Sequence, residues 1–498
     1  MDRPNRALTD QLRRHRVPAW WSDAKLGIFI HWTPASVAGW APRDHEVGEL
    51  FASGRSDALA EMPYTEWYQN SLRFPDSSVS KHHREVYGAA PYDDFVGQFE
   101  AGLAQWDPVD WARRFRTAGA RYVVLVSKHH DGYCLWPSAV PNPRKPGWFS
   151  QRDIVGELAE AVRAEGLRFG LYYSGGLDWT FDDRPLGSVA DGVAAMPRGD
   201  YPDYAEAQVR ELIERYRPSV LWNDITWPTD KKRLFALFAD YYKTVPDGVV
   251  NDRWMPWSPV LGAAQLSPVR RLINAATTRA SRSAGGMVPP KPPHFDVRTP
   301  EYVTFDDIQR FSWETVRGID RSFGYNSNSE PSDLLQRAEL TDLVAEVVSK
   351  GGNLLLNVGP RGVDATIPDN QLERLDWLGE WTRGDGESIF ESRPWIRPNA
   401  TSPEGVEVSF WARGGHLWVS FRPGDRLSNG SITIPGVRAG TQTVVCDAQG
   451  KTLEWSPVAG GTRAGGAGAG GIKVDLGAGA TELSNGPTVL RLGHVDAC

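Results

Sequence analysis

The sequence predicts an α/β protein: a (β/α)8-like barrel over residues 1–392, followed by an antiparallel β-sandwich over 393–498. Three observations carry that expectation. Short apolar runs alternate with longer amphipathic stretches over the first four fifths of the chain, as β/α units of a parallel sheet do. The runs are apolar almost throughout, as strands covered on both faces must be. Beyond about Pro394 the pattern changes to short alternating runs separated by Gly, Pro and Asn, the signature of a sandwich.

The runs are Leu26–Trp32, Tyr122–His130, Leu167–Ser174, Val220–Asp224, Val249–Trp254 and Leu354–Gly359. Between them, Val109–Ala118 places Trp111 and Phe115 four residues apart, and Ile154–Ala164 has the same helical period. Polar residues gather where the runs end, in His31-Trp32, His129-His130, Tyr172-Tyr173-Ser174, Trp222-Asn223-Asp224 and Asn251-Asp252-Arg253-Trp254. Barrel enzymes assemble their chemistry at the carboxyl ends of the strands, so these residues form the candidate site. The carboxyl-terminal runs are Val406–Phe410, Leu417–Phe421, Ser431–Ile434 and Thr443–Cys446. Two stretches lack periodicity. Residues 256–293, rich in Pro and Gly, are expected to be a surface loop or lid. Residues 460–480 include Gly466, Gly468 and Gly471 in a G-x-G-x-x-G spacing, but with neither a buried strand before it nor a helix after it a dinucleotide site is rejected.

Composition narrows the chemistry. The 498 residues carry 55 basic and 62 acidic side chains, a formal charge of −7 that disfavours a broad nucleic-acid surface. No apolar run reaches the length of a membrane span. The segment Met1–Val17 lacks the apolar centre of a signal peptide, so a cytoplasmic location is expected. Three cysteines, Cys134, Cys446 and Cys498, are too few and too scattered for a disulfide framework or a zinc knuckle. Tryptophan is abundant at 21 copies. Its flat apolar face and single edge donor suit ligands that are part apolar and part hydroxylated, as sugars are, although a large core also consumes indole.

No Walker loop, H-E-x-x-H or G-x-S-x-G motif occurs. Carboxylates beside aromatics are what remain: Asp224 at a strand end, Glu301 after Pro300, and Glu66 before Trp67 and Tyr68. Two carboxyl groups in different environments are the minimum for glycoside hydrolysis. A metal-dependent hydrolase using His129, His130 and Asp224 stays open as an alternative, as does a glycan-binding barrel without turnover.

Trp20–Trp32, Ser127–Ser138 and Val348–Pro360 resemble the corresponding motifs of the alpha-L-fucosidases of glycoside hydrolase family 29, in the same order, over roughly residues 18–392. Trp313–Thr315, Ser322–Asn326 and Tyr172–Trp179 are similar to the bacterial, broad-aglycone branch. The resemblance implies a retaining exo-acting alpha-L-fucosidase that forms a covalent fucosyl-enzyme, with transfucosylation as an accompanying reaction and neither metal nor cofactor. It implies Asp224 as nucleophile and Glu301 as general acid/base, with their carboxyl groups about 5 to 5.5 Å apart and Glu66 as the reserve acid. It implies fucose contacts from His31, Glu66, Trp67, His129, His130, Tyr172, Trp222 and Arg253, and Phe323 near the sugar's methyl group. The implied partner is a fucosylated oligosaccharide or glycoside; homo-oligomerisation is left open. Thr33 stands where the family usually has Gly, and the span from Arg253 to Glu301 is long for the family. Trp32 and Trp254 are expected at the pocket rim, Trp111, Trp377 and Trp381 in helix packing, and Glu314 in the barrel interior.

Overall fold

The computed structural model describes residues 3–284, 287–423, 427, 430–459, 462–463, 466–467, 470–477 and 486–497. Eight parallel strands form one sheet: β1 (Leu26–Ile30), β2 (Tyr122–Lys128), β3 (Arg168–Ser174), β4 (Val220–Asp224), β5 (Val249–Val250), β6 (Val297–Arg298), β7 (Ser312–Gly318) and β8 (Asn353–Val358). Their order is β5-β4-β3-β2-β1-β8-β7-β6. β5 and β6 close the ring without a ladder of their own. Instead the Asp296 amide donates to Val250 O at 3.0 Å, and the Asp296 carboxylate accepts from Val250 N at 2.8 Å.

The two faces of each strand serve different cores. Phe29, Tyr122, Val124, Val126, Tyr172, Trp222, Val316 and Leu355 fill the barrel interior. Gly27 makes this possible, because a Cβ there would lie 2.3 Å from the Tyr122 ring. Tyr122 in turn donates to Glu314 Oε2 at 2.7 Å, so Glu314 is an interior barrel residue as expected. The outward residues pack under the surrounding helices. Helix Pro108–Thr117 starts on Asp107, whose side chain accepts from Val109 N and Asp110 N, and it buries Trp111 and Phe115. Helix Ile154–Ala164 starts on Asp153 in the same way.

Period-two alternation corrects the expected position of two tryptophans. His31 and Arg253 face the barrel mouth, so Trp32 and Trp254 point outward: both are fully buried in the helix layer, Trp32 against Phe99, Trp106 and Trp111, and Trp254 against Trp227 and Phe238. Residues 256–293 are also not the irregular loop expected. They contain helices Pro259–Gly262 and Ser267–Ala284. The long helix leans on helices Val47–Ser53 and Val189–Ala194, where Asn274 binds Ser188 Oγ and Ala190 N. The flanking prolines obscured 18 residues of helix.

Beyond the barrel lie β9 (Arg393–Thr401), β10 (Glu407–Arg413), β11 (His416–Phe421), β12 (Ser431–Pro435), β13 (Val437–Asp447), β14 (Trp455–Val458), β15 (Thr462–Arg463), β16 (Gly466–Ala467), β17 (Gly471–Asp475) and β18 (Thr488–Ala497). One sheet is ordered β13-β18-β11-β10-β9 and the other β12-β17-β14, with β15 and β16 paired separately. Their facing side chains, among them Val408, Phe410, Val419, Ile432, Ile434, Ile472 and Leu490, form one apolar core. Gly468 and Cys498 lie outside the described residues. Among the described residues, no helix is long and apolar enough to cross a membrane, and Cys134 and Cys446 are free and buried.

Candidate active site

A pocket of about 570 Å³, mouth included, opens at the carboxyl ends of the strands. Its wall contains every residue singled out for binding or catalysis: His31, Glu66, Trp67, His129, His130, Tyr172, Trp222, Asp224, Arg253, Glu301 and Phe323.

Asp224 ends β4. Its Oδ1 accepts from Ile225 N at 2.8 Å and Arg253 Nη1 at 3.1 Å, and its Oδ2 from Tyr172 Oη at 2.9 Å. Burial raises the carboxyl pKa, but Arg253, His130 and these hydrogen bonds outweigh it and the net shift is downward. Asp224 is therefore held as the anion. Ile225 has φ +69°, a left-handed conformation rare for a β-branched residue, and it sits at the turn that aims this carboxylate.

Glu301 lies across the barrel seam. Its backbone pairs with Met287 in both directions, at 2.8 and 3.1 Å. Its Oε1 is 2.7 Å from Arg253 Nη2. Burial raises its pKa, Arg253 opposes that, and the negative charge of Asp224 adds to the rise; the net shift is upward. One guanidinium thus touches two carboxyl groups whose proton affinities are pushed apart. Arg253 is itself fixed to the chain just after β6, through Nε to Thr299 Oγ1 at 3.3 Å and Nη2 to Thr299 O at 3.2 Å.

Hydrogen bonds behind the pocket set the histidine tautomers. Ser174 Oγ donates to Leu177 O at 2.6 Å, so it accepts from His130 Nδ1 at 2.7 Å. The Asn357 amide donates to Phe323 O, so its Oδ1 faces His31 Nδ1 at 2.5 Å and accepts from it. Both rings therefore carry their proton on Nδ1 and present an Nε2 lone pair. Burial pushes each imidazole down to about 4. His130 Nε2 lies 3.8 Å from Asp224 Oδ2, and with a neutral imidazole this is no ion pair at neutral pH. Because β2 stops at Lys128, the His129 and His130 rings both reach the pocket, their centroids 4.1 Å apart.

Glu66 enters from the short 3-10 helix Thr65–Trp67. Burial drives its pKa up to about 8, against hydrogen bonds from its own backbone and Gly324. Gly324 leaves room for this carboxyl, since a Cβ there would lie 2.7 Å from Glu66 Oε1 and displace it. His129 Nδ1 and Tyr64 Oη are buried without a hydrogen-bond partner among the described residues, and the Glu66 carboxyl oxygens meet no side-chain donor there. Groups of this kind are costly unless a ligand satisfies them. An apolar surface adjoins them: Phe323 packs on His31 at 4.9 Å and on Tyr64 at 5.0 Å.

The pocket also contains Phe29, Val47, Phe51, Met62, Tyr64, Ile225 and Met287, which sequence reasoning did not single out. Most come from the long connection after β1 or from the insertion before β6, where no strand end marks them; only the position of Tyr64, two before Glu66, was a usable signal. His129, His130 and Asp224 offer ligand atoms within 4.8 Å of one another. Yet Asp224 already bonds a guanidinium, and that charge opposes a second cation on the same carboxylate.

The family model described as Alpha-L-fucosidase matches residues 2–387. The chain belongs to this family. A Branchiostoma floridae alpha-L-fucosidase is 30% identical over 463 residues, covering 91% of this chain and 89% of that protein. The alpha-L-fucosidase of Dictyostelium discoideum is 31% identical over 406 residues, or 79% of this chain and 75% of the relative. A crystal structure of Thermotoga maritima alpha-fucosidase, solved with a mechanism-based inhibitor, superposes with a TM-score of 0.76 at 37% identity and covers 97% of this chain and 98% of that one. The barrel and the sandwich are thus both shared with a family member.

Proposed function

We propose that the chain is a retaining exo-alpha-L-fucosidase in which Asp224 is the nucleophile and Glu301 the general acid/base. The observation that carries this reading is the pair of carboxyl groups on one Arg253 guanidinium, the first held ionised and the second pushed toward its protonated form. Asp224 attacks the anomeric carbon while Glu301 gives its proton to the departing oxygen. In the second step Glu301 takes a proton from water, which displaces Asp224 and restores both groups.

The pocket fits the sugar that this reading requires. L-fucose has three free hydroxyls in a glycoside and one methyl in place of a hydroxymethyl. The Nε2 atoms of His31 and His130 and the Glu66 carboxyl accept hydrogen bonds from hydroxyls, while the indole N–H of Trp222 donates. Phe323 offers the apolar face for the methyl, worth only ~1 to 3 kcal/mol of discrimination, so hydroxyl pairing carries most of the selectivity. We place the enzyme with the bacterial, broad-aglycone branch, on the strength of the Tyr172–Trp179 and Trp313–Thr315 segments.

Asp224→Gly tests the assignment. Turnover of an aryl alpha-L-fucoside is expected to fall by about 10³-fold or more, with azide restoring it through a beta-fucosyl azide product. Unchanged turnover in the variant would remove Asp224 from the mechanism. The proximity of two histidines to an aspartate motivates one control. Full activity after EDTA is expected, and loss restored by a divalent cation would favour the metal-dependent reading instead.

A further inference from the structure

The helix Ser267–Ala284 presents an electrostatic feature at odds with the rest of the chain. Arg271, Arg279 and Arg282 border one open groove, together with Gly54, Ser56, Asn274, Ala275 and Thr278, and no acidic residue lines it. Positions 271, 275, 278 and 282 fall on one helical face, so the grouping follows from helix geometry. Arg271 and Arg279 make no hydrogen bond or ion pair with the described residues, and Arg282 spends only its Nε, on Ala52 O at 3.1 Å. Three exposed cations, with one hydrogen bond among them to the described residues, thus face one space in a protein of net charge −7.

The groove's position gives the charge a use. It shares Gly54, Asn274 and Thr278 with a narrower cleft reaching Leu50 and Phe51, and Phe51 also lines the reaction pocket. The same insertion returns through Met287, which pairs with Glu301. The insertion that carries the arginines thus also carries the backbone partner of Glu301, the residue that gives its proton to the leaving-group oxygen in the proposed mechanism.

We propose that this groove binds a sulfate or carboxylate group on the aglycone, making the enzyme selective for fucose attached to an anionic glycan. Arginine suits the task because its planar fork pairs two oxygens of either group. The proposal rests on the alpha-L-fucosidase reading above and names the substrate class for it.

The test compares two fucosyl oligosaccharides that differ only in a sulfate ester on the aglycone, with a neutral aryl fucoside as reference. At low ionic strength the full-length enzyme is expected to show a KM about 5- to 10-fold lower for the sulfated substrate, and added salt should erase the difference. The double variants R271E/R279E and R271Q/R279Q should abolish the preference while leaving kcat/KM on the aryl fucoside unchanged, which also reports that they fold. Equal KM values in the wild type, or a preference that survives both double variants, would overturn the groove assignment alone. No turnover of any fucoside by the wild type would overturn the enzymatic reading and the groove assignment with it.

Discussion

At the scale of single residues, the division of labour between carboxyl groups determines how activity responds to pH. In the proposed mechanism Asp224 acts ionised, and its pKa is depressed; Glu301 acts protonated, and its pKa is raised. Activity therefore rises as pH climbs through the Asp224 value and falls as pH climbs through the Glu301 value, giving a bell-shaped kcat/KM. Glu301→Ala should remove the alkaline limb and slow substrates with poor leaving groups by about 10²- to 10⁴-fold, with a smaller effect on activated aryl fucosides. Glu66, pushed up to about 8 by burial, is the competing source of that limb. If the limb persists in Glu301→Ala and vanishes in Glu66→Gln, the two glutamates exchange roles. Asn357 acts one step behind, by fixing the proton of His31 on Nδ1. Asn357→Leu leaves that donor buried without its acceptor and should lower kcat/KM by roughly 10- to 100-fold. The loss should shrink for a 2-, 3- or 4-deoxyfucoside lacking the hydroxyl that His31 Nε2 accepts from; an equal loss on all three would mean that Asn357 serves only packing.

At the scale of elements, the barrel seam is where this site depends most on side chains. β5 and β6 have two residues each and form no ladder with one another, and Asp252 helps to hold them together. Its Oδ1 accepts from Thr299 N at 3.1 Å and Thr299 Oγ1 at 2.7 Å, while Oδ2 lies 2.5 Å from Arg298 Nε. Arg298 is buried, so Asp252→Asn strands its charge and should cost about 3 kcal/mol in denaturant unfolding. Because Thr299 also anchors Arg253 and lies two residues before Glu301, the same variant should shift the alkaline limb of the pH profile. A stability loss with an unmoved limb would show that the seam does not position the acid. This region also explains what the sequence concealed. Six strands were legible as apolar runs, but β6 is too short to show periodicity, and β7 reads Ser-Trp-Glu-Thr-Val-Arg-Gly because Glu314 is accommodated inside by Tyr122. Seven of the eleven pocket-lining residues, His31, His129, His130, Tyr172, Trp222, Asp224 and Arg253, were legible because they stand at the ends of apolar runs, whereas Glu66, Trp67, Glu301 and Phe323 lie off the strand ends and depended on the resemblance for their place in the site. Phe51 and Met287 were not legible, since helix packing and a backbone bridge bring them to the pocket.

At the scale of the whole molecule, barrel and sandwich share a core. Trp411 of β10 and Val489 of β18 belong to the apolar cluster that contains Leu340, Leu378 and Trp381 of the barrel helices. Polar contacts fix the orientation: Arg422 makes two hydrogen bonds of 3.0 Å to Asp342, Trp411 Nε1 donates to Ser388 Oγ at 3.3 Å, and Trp381 Nε1 donates to Pro487 O at 3.4 Å. An interface formed by a continuous apolar cluster couples the unfolding of the two parts, whereas a polar contact would let them melt apart. The full chain should accordingly show a single thermal transition that coincides with loss of fucosidase activity, although every pocket residue lies in the barrel. Trp411→Ala removes a fully buried indole and should cost about 3 to 5 kcal/mol. Its effect on activity at low temperature should be small, while the temperatures of inactivation and of sandwich unfolding should fall together. Calorimetry of the variant beside residual activity after heating checks this directly: a sandwich transition that moves down while the inactivation temperature stays fixed would mean that the barrel stands without it.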